Sequence, residues 1–115
     1  MKVDMLLLIL SAGTGMLFIA LAIPLILKKV PPNRWYGLRV PATFANDKVW
    51  YKANAWTAKV MLGWGLFILI AGIVLSFAPL AQWVKWLLWC STVLGGAIVT
   101  TIRGWQYANQ LLKDQ

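Results

Sequence analysis

The chain has 115 residues, 61% of them hydrophobic and only 12% charged, against roughly a quarter charged in a soluble domain, so it has too little polar surface for a water-soluble fold. Its formal net charge is +8, from eleven Lys/Arg against three Asp, and it contains no His and no Glu. That inventory speaks against general acid–base catalysis, which usually needs a His or a carboxylate with a displaced pKa, and against any metal site or cofactor; the basic residues follow the apolar runs, which argues against nucleic acid as a partner.

The first element is a charge-free run from Met5 to Leu27. A helix crossing roughly 30 Å of hydrocarbon needs about 20 apolar residues, so a first transmembrane helix is expected over about 4–27. Pro24 lies near its end, where a kink costs least, and Lys28-Lys29 followed by Pro31-Pro32 stop it. Ala20-Leu21-Ala22 has the small-residue spacing of a signal-peptide cleavage site. The apolar run continues past it and Asp4 weakens the basic leader, so the span is read as retained.

Next comes a polar island, Asn33 to Asn54, within a loop and helix spanning 28–59. Tyr36-Gly37 invites a turn, and Val40 before Pro41 must be extended. Asn46 is placed as an N-cap with Asp47 favourable in the first turn. From there Val49, Ala53, Trp56 and Val60 recur at helical spacing, with Lys48, Lys52 and Lys59 on another side. The pattern predicts an amphipathic helix at the membrane interface that can bend directly into the second span.

The second span is expected at about 60–77, ended by Pro79. The third is expected at about 82–102, where Lys85 and Arg103 can snorkel to the two interfaces. That helix can extend into the tail 103–115, which, with Trp105, Tyr107, Leu111 and Leu112, is expected to lie along the interface. Trp83, Trp86 and Trp89 fit one aromatic belt, and Trp64 and Trp105 the other. The fold class is therefore an all-α integral membrane protein: a single domain, 1–115, with three transmembrane helices and a cytoplasmic amphipathic helix and loop between the first two.

Lys28, Lys29, Arg34, Arg39, Lys48, Lys52 and Lys59 lie between the first and second spans, and Arg103 and Lys113 follow the third. Only Lys2 and Lys85 fall on the other side. By the positive-inside rule the N-terminus is outside, and the island and C-terminus are cytoplasmic. Membrane lipids are expected partners of the basic face. Thr92, Gly96, Thr100 and Gly104 recur every four residues, and Ser11/Gly15 and Gly72/Ser76 form shorter small-residue faces. These suit close helix packing, within one bundle or in a homo-oligomer. The single Cys90 has no partner for an intrachain disulfide and no companion ligands for a metal.

The chemistry on offer is recognition. Arg39 can grip a carboxylate or phosphate bidentately. Trp35, Tyr36 and Trp50 supply large contact area with polar handles. Asn33 and Asn54 can bond to backbone, and Trp50 and Asn54 are one helical turn apart on a shared face. The same residues can instead tie the loop down, with Gly37 in a left-handed turn. Intramembrane transport has little support, because the apolar spans hold no ionisable group.

At these residues the sequence resembles the SdpI/YfhL family of bacterial membrane proteins. Its signature, Asn-x-x-Tyr/Phe-Gly-x-Arg-Thr-Pro, then Thr or Ser, then Trp with Asn four residues on, is met by Asn33, Tyr36, Gly37, Arg39, Pro41, Thr43, Trp50 and Asn54. Val40 stands where the family usually has Thr, and Ala58-Lys59 where a Gly-basic pair is frequent. The likeness covers about residues 25 to 80; the founder carries additional N-terminal membrane helices, and this chain looks like the C-terminal signature domain. It implies an inner-membrane immunity or signal-sensing role: protection from a secreted peptide toxin, and capture of a cytosolic regulator at the membrane. The alternative is a small structural or accessory subunit of a membrane assembly.

Overall fold

The computed structural model describes residues 3–114. Four helices follow one another: α1 (Met5–Ile26), the short α2 (Pro41–Ala45), α3 (Asp47–Phe77) and α4 (Gln82–Lys113). Helices α1, α3 and α4 are each long and apolar enough to cross a membrane, as a multi-pass membrane protein requires. Helix α3 is the centre of the bundle: α1 and α4 both pack on it rather than on each other.

Local chemistry sets the boundaries. Asp4 caps α1, its carboxylate accepting from the Leu7 amide at 3.1 Å. The chain leaves α1 through Lys28, which takes a left-handed conformation at φ 59°. Val40 is extended before Pro41, which opens α2 at its first turn, where its missing N–H costs nothing. The Asn46 side chain accepts from the Val49 amide at 2.9 Å, starting α3 as expected, with Asp47 in the first turn.

Both long helices are continuous. The helix that starts at Asp47 runs directly into the second apolar span, so that α3 is unbroken from Asp47 to Phe77. The third span likewise extends into the tail, and α4 continues to Lys113. At 1.5 Å per residue, α1 is roughly 33 Å long, whereas α3 and α4 reach roughly 46–48 Å. The molecule, 56 Å in its longest extent, therefore has a step at its basic end, where α3 and α4 outrun α1. The island fills this step. Leu38, Val40 and Ala42 form a buried cluster with Val49 and Ala53 of α3 and Ala108 of α4, flanked by Tyr107 and Leu111. The tail is thus a packing partner of the island. Trp56 stacks on Tyr107 at 4.6 Å and 20°, tying the two long helices together there.

Within the bundle, glycines set the spacing. A Cβ on Gly15 would lie 2.9 Å from the Gly65 carbonyl oxygen, and one on Gly72 would lie 1.9 Å from Ser11 Oγ. Gly96 accepts the Trp64 ring, at 3.0 Å from an added Cβ, and Gly104 accepts the Thr57 side chain. Trp64 is half-buried, with its ring against Gly96 of α4. Thr100 is buried, whereas Thr92 is half-buried and turns its hydroxyl back onto the Leu88 carbonyl.

At the opposite end three helices are latched. The Asp4 amide donates to the Ser76 carbonyl at 2.9 Å, and Gln82 Nε2 donates to the Asp4 carboxylate. Lys85, expected to snorkel outward, is buried here. The Leu7 amide, then the Gln82 side chain, hold the Asp4 carboxyl below its ordinary value; desolvation opposes them, and the charge of Lys85 adds the smallest lowering effect.

Candidate functional site

The site is the island, and its geometry begins with Asn33. Its carboxamide oxygen accepts from the amides of Trp35 at 2.8 Å and Tyr36 at 2.7 Å, while its NH2 donates to the Pro31 carbonyl at 2.8 Å. This is an Asx turn that reverses the chain after the two prolines. The Tyr36 ring then drops against the end of α1, where its hydroxyl donates to the Leu21 carbonyl. Burial pushes the Tyr36 hydroxyl pKa above its ordinary value.

Gly37 follows at φ +108°, a conformation that side chains rarely adopt. The space is closed as well, because an added Cβ would meet Asn54 Oδ1 at 2.7 Å. Asn54, 2% exposed, is the pivot of the site. Its Oδ1 accepts from the Leu38 amide at 2.5 Å, and its NH2 donates to the Trp50 carbonyl at 2.9 Å. One side chain thereby fixes the loop to α3. Thr43 fixes the next stretch: its Oγ1 lies 2.9 Å from the carbonyls of Leu38 and Val40 and accepts from the Val40 amide at 3.1 Å.

Trp50 has no exposed surface. Its indole N–H donates to the Val30 carbonyl at 2.9 Å, and its ring lies 5.6 Å from that of Phe44. It anchors the loop from inside, not the helix in lipid. The motif residues Asn33, Tyr36, Gly37, Thr43, Trp50 and Asn54 are therefore brought together as one clamp. Pro41 opens α2 and is exposed.

Besides Pro41, two predicted site residues stand outside the clamp. Trp35 is 88% exposed. Arg39 is exposed and donates from one guanidinium nitrogen to the Arg34 carbonyl at 2.6 Å, with no carboxylate partner among the described residues. A cavity of about 320 Å³ lies beneath Arg39. Its walls come from Leu21 and Leu25 of α1, the loop from Tyr36 to Val40, α3 between Asn54 and Met61, and Thr100 and Thr101 of α4. Sequence reasoning missed this cavity and the part played by Leu38, Val40 and Ala108. The one sequence signal was the hydroxyl pair Thr100-Thr101 near the end of an apolar run.

A scan against protein-family models matches residues 29–103 to the SdpI/YfhL protein family. No curated protein and no solved structure gives a significant match. The family match takes in the whole clamp, the exposed Trp35 and Arg39 and most of α4, and covers more than half of the chain. The chain belongs to the SdpI/YfhL protein family.

Proposed function

We propose that this chain is a bacterial inner-membrane immunity or signal-sensing protein, with its basic end in the cytoplasm and its N-terminus outside. A cytosolic regulator docks on the exposed ledge of the island, and a peptide toxin is met by the membrane-spanning part. Membership of a family of membrane immunity type supports the class. The observation that carries the docking surface is the division of labour inside the motif. Five of its side chains and the turn at Gly37 are spent holding the loop, and the loop so held presents Trp35 and Arg39, which has no carboxylate partner among the described residues. Trp and Arg are the residue types that most often dominate an interface. Presenting them on a pinned loop reduces the ordering cost of binding.

The test is expression of the chain in a strain sensitive to a candidate toxin peptide. Survival is expected with the wild-type chain. The double variant Trp35→Ala/Arg39→Ala should keep wild-type membrane levels, because both side chains are exposed, yet bind its regulator roughly thirtyfold or more weakly, as loss of a hot spot implies. Unchanged killing by every candidate peptide counts against immunity, and unchanged regulator capture by the double variant counts against the ledge.

A second reading is a subunit of a larger membrane assembly or a homo-oligomer. A Cβ built on Gly13, Gly63 or Gly95 meets nothing within 4 Å, so each of the three long helices keeps a small-residue position free of neighbours. A monomeric mass in mild detergent, with no co-purifying partner, would weaken that reading.

A further inference from the structure

The cavity beneath Arg39 is not needed to hold the island, and its shape and chemistry define an occupant. It opens between α1 and α4, which pack on α3 and leave this side of the bundle uncovered. One wall is apolar, formed by Leu21, Leu25, Ala58 and Met61, of which Leu25 and Ala58 are buried. Most of its polar wall is already satisfied from within the chain, the Thr100 hydroxyl excepted. The Tyr36 hydroxyl is bonded to Leu21, the Asn54 carboxamide to Leu38 and Trp50, Thr57 Oγ1 to the Ala53 carbonyl at 2.7 Å, and Thr101 Oγ1 to the Ala97 carbonyl at 2.9 Å. At the rim, Arg39 keeps most of its N–H donors unspent. An occupant therefore finds apolar contact along one wall and a cation at the edge.

Hydrogen-bonding chemistry narrows the choice. An extended peptide would bring backbone N–H and C=O groups into a wall whose side-chain partners are mostly spent, at the cost of unsatisfied polar groups. An acyl chain brings none. We infer that the cavity is a site for one anionic membrane phospholipid, with an acyl chain between α1 and α4 and its phosphate on Arg39. Lys28, Lys29 and Arg34 in the adjoining loop add positive charge at the same end.

The purified full chain in mild detergent is mixed with phosphatidylglycerol, phosphatidylcholine or glycerol phosphate, and bound molecules are counted by native mass spectrometry. One phosphatidylglycerol should be retained, about tenfold more tightly than phosphatidylcholine, the size of effect expected of one or two lipid-facing cations. Glycerol phosphate, the headgroup without chains, should not be retained. Thr101→Phe fills the cleft from an exposed position and should abolish retention; Met61→Trp fills it from the opposite wall and should do the same. Arg39→Gln should keep a bound lipid but lose the preference for the anionic one. Retention unchanged in both cleft-filling variants, equal binding of the two phospholipids by the wild type, or binding of glycerol phosphate alone would each overturn the assignment. So would loss of toxin protection on filling the cleft with lipid retention intact, which would mark it as a peptide site. Protection from killing is read separately, so failure here leaves the docking ledge standing.

Discussion

Trp50→Ala is expected to detach the island while leaving the protein in the membrane. The side chain is fully enclosed, bonds to the Val30 carbonyl and packs beside Phe44. Removing a buried tryptophan costs about 3–5 kcal/mol. That penalty falls on a loop whose own contacts are few, so local opening is favoured over global unfolding. Trypsin should then cut at Arg34, Arg39 and Lys48, sites within or beside the clamp, at least tenfold faster than in the wild type. Trp50→Phe keeps most of the packing and loses only the hydrogen bond, at about 1 kcal/mol, and should be intermediate. Equal cleavage rates in all three proteins would show that Trp50 does not hold the loop.

Gly72→Ala should force α1 away from α3. The added Cβ would meet Ser11 Oγ at 1.9 Å and Ser11 Cβ at 2.0 Å, so the two helices cannot keep their separation. Overpacking of this kind costs about 3 kcal/mol at the upper end of its usual range. It also strains the latch one turn away, where the Ser76 carbonyl accepts from Asp4. A companion Ser11→Gly substitution removes the colliding side chain and should restore most of the loss. A double-mutant cycle in thermal unfolding in detergent measures that coupling. A Gly72→Ala protein as stable as the wild type would show that α1 and α3 are not in this register.

The sequence made some of this legible because the relevant contacts are local. The Asn46 cap, the first-turn Asp47 and the extended Val40 before Pro41 each depend on residues within a few positions, and all three are found. The apolar spans were visible as charge-free runs. The clamp was visible only as a list of residues. Whether Asn54 served a partner or the fold depended on a hydrogen bond to Leu38, sixteen residues away. Trp50 looks the same in sequence whether it faces lipid or protein, and the Val30 carbonyl decides it. The step at the basic end was hidden for a related reason. Lysines on one side of 47–59 and aromatics along 103–113 fit an interfacial helix and tail as well as a helix pair that continues and carries a small core. Only the pairing of Ala108 with Val49, Ala53, Leu38 and Val40 separates the two. Gly65, which meets Gly15, went unmarked because no small residue sits four positions from it.

The family motif acts as a clamp that folds the island onto α3 and α4. Amide hydrogen exchange in a lipid nanodisc tests it most directly. The Leu38 amide is bonded to buried Asn54, the Val40 amide to Thr43, and the Thr43 amide to the Val40 carbonyl at 3.0 Å. All three should be protected in the wild type, and Asn54→Leu should collapse the protection at Leu38 while leaving the mid-membrane amides of α3 unchanged. Exchange of Leu38, Val40 and Thr43 at the rate of an unstructured chain in the wild-type protein would contradict the account.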